Sequence, residues 1–353
     1  MNISFICHDL WHDNQADPII RSIPYLSRYN FKINVIRTAN SGNLNTQVWP
    51  DVLEEVEKKR REKLDDSIKS VILSNPDLII CHHRCITPNI LKSNIPIIII
   101  EHTDAPALEL SRHLIHLENV IGVIKGTVFS DSTFYNGPFC EGMFHGTNLN
   151  KIGLPIVYPK RKLSDKEISK IELGYSFGSF PKNKRLLDFD IEENRNIPIS
   201  FVGTTNYPRS RLISQHRESA MIIAKKIGVG ISGLSLKDYD KILKSSFVCL
   251  SPLGYGACYR SFEGLYAGNV VVQPDSSYMI SWPNIFVSGD HYVVCKNDFS
   301  DVELITNSII ENWDNWKEKR HNNKSLLLKT YWNEESLGNH LKEILNRCCK
   351  RIK

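Results

Sequence analysis

The sequence predicts an α/β protein with two lobes, each a parallel β-sheet flanked by helices. Short apolar runs recur along the chain, and each is followed by polar residues and then by a helical pattern, which is typical of βα units. The chain has 353 residues, enough for about two domains of ordinary size. This pattern of strands and helices weakens near the middle of the chain and then starts again. We therefore expect two α/β lobes, one after the other.

The first lobe is predicted to span residues 1–157. Its candidate strands are short and rich in Ile or Val: Ile3–Cys7, Phe31–Ile36, Leu78–Cys81, Ile97–Ile100 and Val120–Ile124. Between the second and third strands, Asp51–Leu73 has apolar residues spaced as on one face of a helix. Residues 57–63 carry charges of both signs, which is typical of a solvated helix face.

Residues 158–196 are predicted to connect the lobes, because apolar residues become sparse there and charges frequent. The second lobe is predicted to span residues 197–353. Its candidate strands are Pro198–Val202, Ile227–Ile231, Phe247–Leu250, Asn269–Gln273 and Tyr292–Cys295. After Asp298 the pattern is helical to the end of the chain.

Composition excludes several classes of protein. Hydrophobic residues make up 41% and charged residues 24%, as in folded domains, and no apolar run reaches the roughly 18 residues of a membrane span. Nine cysteines, an odd number spread over the chain, favour reduced thiols and therefore a cytoplasmic protein. A net charge of +5 is modest for this length, so we expect no nucleic-acid partner.

The segment Ser251–Gly268 lies between two apolar strands and carries the clearest chemical signal. A loop with Gly254 and Gly256 leads to a predicted helix start near Arg260. Free N–H groups and the positive dipole end of such a helix favour an anion, and Arg260 adds a fixed charge. Glu263, one turn inside, could accept hydrogen bonds from vicinal hydroxyls such as those of a ribose. An ordinary crossover, in which Glu263 only complements the dipole, remains an alternative.

This segment resembles the nucleotide-sugar half of GT-B glycosyltransferases, most closely the exostosin-like and spore-maturation-protein-like groups. The resemblance rests on the following stretches, which appear in the family's order: Phe201–Thr205, Leu234–Tyr239, Phe247–Pro252, Arg260–Glu263, Leu265–Val272, Gly289–Val294 and Asp298–Asp301. It covers about residues 198–345, whereas the first half matches only in its rhythm. It implies a GT-B fold of two facing Rossmann-like domains.

The resemblance also implies roles for individual residues. Glu263 would bind the donor ribose, and Arg260, together with Arg209 or Arg211, would hold the diphosphate and stabilise it as a leaving group without a metal. Further donor contacts are expected from Gly203, Thr204, Gly254, Gly256, Tyr259, Ser261 and Phe262. Arg209 and Arg211 have an alternative as plain surface charges. No cofactor is implied, because the nucleotide sugar is itself a co-substrate.

One departure from the family favours inversion at the anomeric carbon. Many retaining members carry a second Glu eight positions before the ribose-binding one, where this chain has Tyr255. An inverting enzyme needs a general base on the acceptor side. Three polar clusters follow strands of the first lobe: Cys7–Asp13, Cys81–Arg84 and Glu101–Asp104. We favour Asp104 or His102 as the catalytic base, the alternative being that this loop only makes hydrogen bonds and caps the next helix.

Two further patterns are weaker indications of function. The run Cys81–Cys85 contains Cys and His, but its spacing builds no tetrahedral site, so no metal site is predicted. The basic tail Arg347–Lys353 could contact an anionic membrane surface, the alternative being a solvated tail.

Together these observations predict a cytoplasmic, metal-independent glycosyltransferase, peripheral at the inner face of the membrane if the tail binds lipid. It would move a sugar from a nucleotide-activated donor to a glycan or lipid-linked acceptor, in synthesis of surface polysaccharide, such as lipopolysaccharide, or of a glycoconjugate. Two alternatives stay open: a non-catalytic nucleotide- or sugar-binding module on the same scaffold, and a metal-dependent hydrolase built on the His clusters of the first lobe.

Overall fold

The chain forms two lobes, each built on a parallel β-sheet. The computed structural model describes residues 1–8, 16–38, 66–101, 105–108, 111–140, 144–145, 156–207, 210–252, 254, 256 and 258–352. Within these residues, no helix is both long and apolar enough to cross a membrane.

The first lobe contains ten strands and four helices within the described residues. The strands are β1 (Asn2–His8), β2 (Lys32–Thr38), β3 (Leu78–His82), β4 (Ile97–Glu101), β5 (Val120–Lys125), β6 (Thr127–Phe129), β7 (Phe139–Cys140), β8 (Phe144–His145), β9 (Ile156–Val157) and β10 (Ile171–Leu173). The helices are α1 (Ala16–Ser27), α2 (66–73), α3 (Pro88–Lys92) and α4 (Asp165–Ile168). All five predicted strands are confirmed. The helix predicted over residues 51–73 is helical at 66–73, and its earlier part lies outside the described residues.

Six of these strands form one parallel sheet in the order β10-β5-β4-β3-β1-β2. Strands β3, β4 and β5 are buried along their whole length, as expected for parallel strands with helices on both faces. Their Ile and Val side chains supply much of the core of this lobe. Strands β7, β8 and β9 form a separate small antiparallel sheet.

The second lobe continues the α/β pattern. Its elements are β11 (Ile197–Val202), α5 (Arg211–Ile227), β12 (Val229–Ile231), α6 (Leu236–Ser245), β13 (Ser246–Leu250), α7 (Tyr259–Tyr266), β14 (Val270–Pro274), β15 (Met279–Ser281), β16 (Tyr292–Cys295), α8 (Val302–Glu311), α9 (Lys317–Tyr331) and α10 (Glu334–Cys349). Five strands form a parallel sheet in the order β12-β11-β13-β14-β16. The predicted strands are confirmed, except that helix α5 continues through Ile227 and shortens the second one.

The lobes are joined by more than the segment that was predicted to connect them. Strand β10, within residues 158–196, belongs to the edge of the first sheet. Strands β6 and β15 pair antiparallel across the two lobes. Helix α10 returns to the first lobe, where Tyr25 of α1 packs against Gly338 and its hydroxyl donates to Asn339 at 2.6 Å. The end of the chain therefore belongs structurally to both lobes.

The remaining connection, residues 174–196, packs closely against the second lobe. A Cβ atom on Gly178 would lie 2.0 Å from the ring of Tyr331, so only glycine fits there. The carbonyl of Gly178 accepts a hydrogen bond from the hydroxyl of Tyr266, the last residue of α7, at 2.9 Å. The connection is thereby fixed against the helix that carries the predicted anion site.

Candidate functional site

The strand order of the second sheet reverses between β11 and β13. From β11 the chain moves to β12 on one side and then to β13 on the other. In parallel sheets, ligands bind outside the carboxyl ends of the strands at such a reversal. These ends carry the loop that follows Val202 and the loop that leads from Leu250 into α7. The site predicted around Arg260 therefore lies at the reversal.

Helix α7 begins at Tyr259, as the sequence predicts. Cys258 occupies its N-cap and makes no side-chain hydrogen bond to the first turn. Without that cap, the amino end of the helix is suited to an external anion, because its N–H groups and dipole present positive charge. The helix ends at Tyr266, and Gly268 follows with φ of 72°, a left-handed conformation that favours glycine.

Arg260 is buried beneath this helix start, with 8% of its surface exposed. Its Nη2 donates to the carbonyl oxygen of Val202 at 2.5 Å, and the guanidinium lies 4.6 Å from the ring centre of Phe201. Among the described residues, its Nη1 has one weak contact, 3.8 Å from the sulfur of Cys258. Its Nε is buried and has no hydrogen-bond partner within the described part of the chain.

No described carboxylate forms an ion pair with Arg260 either. A buried cation without an anion is costly. The carbonyl and the aromatic ring offset only part of that cost. The arrangement therefore favours binding of an anion brought by a ligand.

Gly203 permits this placement of the guanidinium. A Cβ atom at residue 203 would lie 2.5 Å from Nη2 of Arg260, closer than any side chain allows. Gly203 was predicted to contact the donor, and the structure gives it a second purpose, which is to leave space for Arg260. The adjacent carbonyl of Thr204 accepts a hydrogen bond at 3.1 Å from Arg217, another buried arginine.

Glu263 lies one turn inside α7 and is buried, with 6% of its surface exposed. Its Oε1 accepts from Nη2 of Arg185 at 2.9 Å, and its Oε2 accepts from the hydroxyl of Tyr239 at 2.7 Å. Nε of Arg185 also donates to both oxygens of Asp240 at 2.9 and 3.1 Å. Burial lowers the pKa of Arg185, but the carboxylates of Glu263 and Asp240 outweigh it and raise that pKa above its ordinary value.

Sequence reasoning missed two cations of this site, Lys182 and Arg185. Both lie in a short 3₁₀-helix, Pro181–Leu186, within the predicted connecting segment. The ammonium of Lys182 lies 4.1 Å from the ring centre of Tyr259, at the start of α7. The only signal in the sequence was the basic run at residues 182–185, and nothing local connects it to a helix more than 70 residues later.

The other predicted donor contacts lie either in the interior of the lobe or around the loops and the helix start at the carboxyl ends of its strands. Ser261 and Phe262 face the interior: the hydroxyl of Ser261 bonds to Ser251 and Gln273, and Phe262 is fully buried in the core. Their side chains support the site from below. Thr204 and Arg211 are exposed at the end of β11 and the start of α5, and Gly254 lies in the loop before α7. Gly256 is buried in that loop.

Several predicted residues lie outside the described residues: Arg209, Tyr255, His102 and Asp104. The structure does describe the carboxyl end of β4 just before the predicted base. Glu101 is fully buried, accepts from Nζ of Lys125 at 2.9 Å, and accepts from the backbone N–H of Ser111 at 2.6 Å. The bond from Ser111 joins the residues on either side of segment 102–110, and the ion pair with Lys125 holds Glu101 against β5.

The His and Cys residues of the first lobe form no metal centre within the described residues, where no group of three or more His, Cys, Asp or Glu side chains is placed to hold an ion. Nδ1 of His82 accepts from the backbone of Arg84 at 3.3 Å. Nδ1 of His83 lies 3.3 Å from the carbonyl of Ile100, and burial lowers the pKa of His83 to about 4. Its imidazole is therefore neutral at pH 7.

Two cations of the basic tail Arg347–Lys353 contact the first lobe. Arg347 and Arg351 each form an ion pair with Glu172 of β10 at 2.8 Å. Arg351 also donates to the carbonyl of Ile121 at 3.0 Å. Two of the four tail cations therefore hold the end of α10 on the first lobe, and the charge left for a membrane surface is smaller than the sequence suggests.

No protein-family model and no curated protein matches this chain in sequence. Among solved structures it is similar to an alpha-glucosyltransferase in complex with UDP-glucose and DNA containing an abasic site, with a TM-score of 0.51, 9% identity, and 99% of each chain covered. It is also similar to an alpha-glucosyltransferase in complex with UDP and a 13-mer DNA containing a HMU base, with a TM-score of 0.53, 10% identity, and 99% of this chain and 98% of that chain covered. This likeness confirms the predicted GT-B fold over the full length.

The contact between Gly203 and Arg260 gives a direct test of the anion site. In Gly203→Ala, the new Cβ displaces the guanidinium, so we expect affinity for inorganic pyrophosphate, measured by calorimetry, to fall about tenfold or more. Ile222→Ala is the control, because Ile222 is an exposed residue of α5 in the same lobe and has no place in the proposed site. If both variants bind like the unmodified protein, the guanidinium does not serve an anion.

Proposed function

We propose that this chain is a nucleotide-sugar glycosyltransferase. The observation that carries the proposal is the buried guanidinium of Arg260, which has no anionic partner among the described residues and lies beside the amino end of α7 at the reversal of the second sheet. A diphosphate supplies the missing charge. The same groups then stabilise the diphosphate more strongly as it leaves, since its charge increases when the bond to the sugar breaks.

Glu263 is proposed to bind the ribose of the donor. Arg185 and Tyr239 each occupy one lone-pair direction of its two oxygens, and a carboxylate offers about four. These partners hold the carboxylate in one orientation and leave lone pairs free for further hydrogen bonds. The carbonyl end of β11 and the loop with Gly254 would form the rest of the nucleotide pocket.

The acceptor is proposed to bind the first lobe, across from α7. His102 or Asp104 would take the proton from the attacking hydroxyl, in an inverting displacement without a metal. The ion pair of Glu101 and Lys125 supports this proposal, because it fixes the strand end from which that loop departs. A glycan or lipid-linked acceptor, and a role in surface polysaccharide or glycoconjugate synthesis near the inner membrane face, remain parts of the proposal.

The first prediction concerns Arg260. Both similar structures contain UDP, or UDP-glucose, in the complex, so UDP is the first probe. Arg260→Met should weaken UDP binding in calorimetry at least about tenfold, since a hydrogen bond to a charged group contributes about 1.5–3 kcal/mol.

Arg320→Met is the control for this prediction. Arg320 is equally buried in the same lobe, donates to a carbonyl at 2.7 Å and lies 4.0 Å from the ring centre of Trp313. Its loss should lower thermal stability and leave UDP affinity intact. Equal UDP affinity in the two variants would remove Arg260 from the donor site.

The second prediction concerns Glu263. The unmodified protein should bind UDP about tenfold or more tightly than 2′,3′-dideoxy-UDP, because the dideoxy analogue leaves the carboxylate without hydroxyl donors. In Glu263→Ala this preference should disappear, whereas Asp240→Ala, which removes the other carboxylate on Arg185, should preserve it. A full preference for UDP in Glu263→Ala would show that the ribose is held elsewhere.

The third prediction concerns stereochemistry. Proton NMR of a transfer reaction should show that the sugar changes its anomeric configuration between donor and product. Retention of the configuration would overturn the inverting mechanism while leaving the donor site untouched.

A further inference from the structure

The short 3₁₀-helix Pro181–Leu186 of the connecting segment packs directly on α7. Arg185, in its last turn, donates to Glu263 and Asp240, and its Nη1 donates to the carbonyl of Lys182 at 2.8 Å. Lys182, one turn earlier, points to the other end of the contact, at the first residue of α7. The two cations therefore have different surroundings, although they belong to the same 3₁₀-helix.

The position of Lys182 is fixed by aromatic rings. Its ammonium lies 4.1 Å from the ring centre of Tyr259 and 4.9 Å from that of Phe180. Tyr259 is itself held by Phe177, with ring centres 4.0 Å apart, and by Phe180 at 5.3 Å. The ammonium is thus placed beside the amino end of α7, while the side chain stays exposed to solvent.

This placement concentrates positive charge. The dipole end of α7 and Lys182 lie at the same helix start, where Arg260 is the second residue, and Lys182 forms no ion pair with a carboxylate in the part of the chain that the structure describes. Glu263 is the acidic group nearby, and Arg185 and Tyr239 already hold both of its oxygens. The rings of Tyr259 and Phe180 shield the ammonium of Lys182 from part of its water, and this desolvation, with the neighbouring Arg185, lowers the pKa of Lys182, although Glu263 opposes this. A cation in such surroundings gains from an added anion.

We propose that the connecting segment is itself part of the donor site, with Lys182 binding the diphosphate alongside Arg260. This inference rests on the proposed function and deepens it. The second phosphate-binding cation then comes from the junction between the lobes, in addition to any contribution from Arg211 at the start of α5.

The test compares Lys182→Met with Lys184→Met. Methionine keeps an apolar side chain over the rings and removes the charge, and Lys184 is an exposed lysine of the same 3₁₀-helix. By calorimetry, Lys182→Met should lose about tenfold in affinity for UDP and for inorganic pyrophosphate, and less than about twofold for uridine. Lys184→Met should bind all three like the unmodified protein, and Lys182→Arg should recover most of the lost affinity.

Salt dependence provides a second readout, since removing a phosphate-binding charge reduces the fall in affinity with salt. Equal UDP and pyrophosphate affinity in Lys182→Met and Lys184→Met overturns this inference alone. If the unmodified protein binds pyrophosphate but not UDP, the proposed function fails, and the pyrophosphate comparison still decides the role of Lys182. Should Lys182→Met fail to fold, Lys182→Gln provides the same comparison.

Discussion

The structure of the site depends on one constraint, the burial of the Arg260 guanidinium against the end of β11. The chain leaves no room for a side chain at residue 203, orients the carbonyl of Val202 toward Nη2, and supplies Phe201 as an aromatic neighbour. It supplies no described carboxylate. A buried charge without an ion pair is costly, and the buried Arg217 shares this feature. Arg260 differs in its place at the reversal of the sheet, beside the amino end of α7, where we propose that a ligand supplies the anion.

The connection between the lobes has a larger part in the site than a linker ordinarily has. Gly178 fits under Tyr331, its carbonyl accepts from Tyr266, and Arg185 binds Glu263. These contacts fix the middle and the last residue of α7 to the same segment. Strands β6 and β15 and helix α10 join the lobes at other points. The proposed anion site consequently lies at a junction that several separate contacts hold in place.

Much of the fold could be predicted from the sequence, because its signals are local. Buried parallel strands are continuous Ile and Val runs, and the glycine loop before α7 and Gly268 after it mark that helix. The start of α7, Arg260 and Glu263 were predicted for the same reason. Arg185 could not be predicted, since its partner Glu263 is 78 residues away and only the tertiary fold brings them together. Strand β10 and helix α10 were assigned outside the first lobe because their pairing is equally long-range.

The side chains of one helix also divide in a way that the linear motif does not show. Arg260 and Glu263 lie toward the site, whereas Ser261 and Phe262 between them face the interior, because successive residues of a helix point in different directions. When the motif Arg260–Glu263 is treated as one unit, all four of its residues are assigned to ligand binding.

The most direct measurement is a crystal structure of the protein with UDP. The account predicts phosphate oxygens within hydrogen-bond distance of the Arg260 guanidinium and the amino end of α7, with the ribose hydroxyls on Glu263. UDP bound elsewhere, with Arg260 still contacting only the carbonyl of Val202 and the sulfur of Cys258, would contradict it.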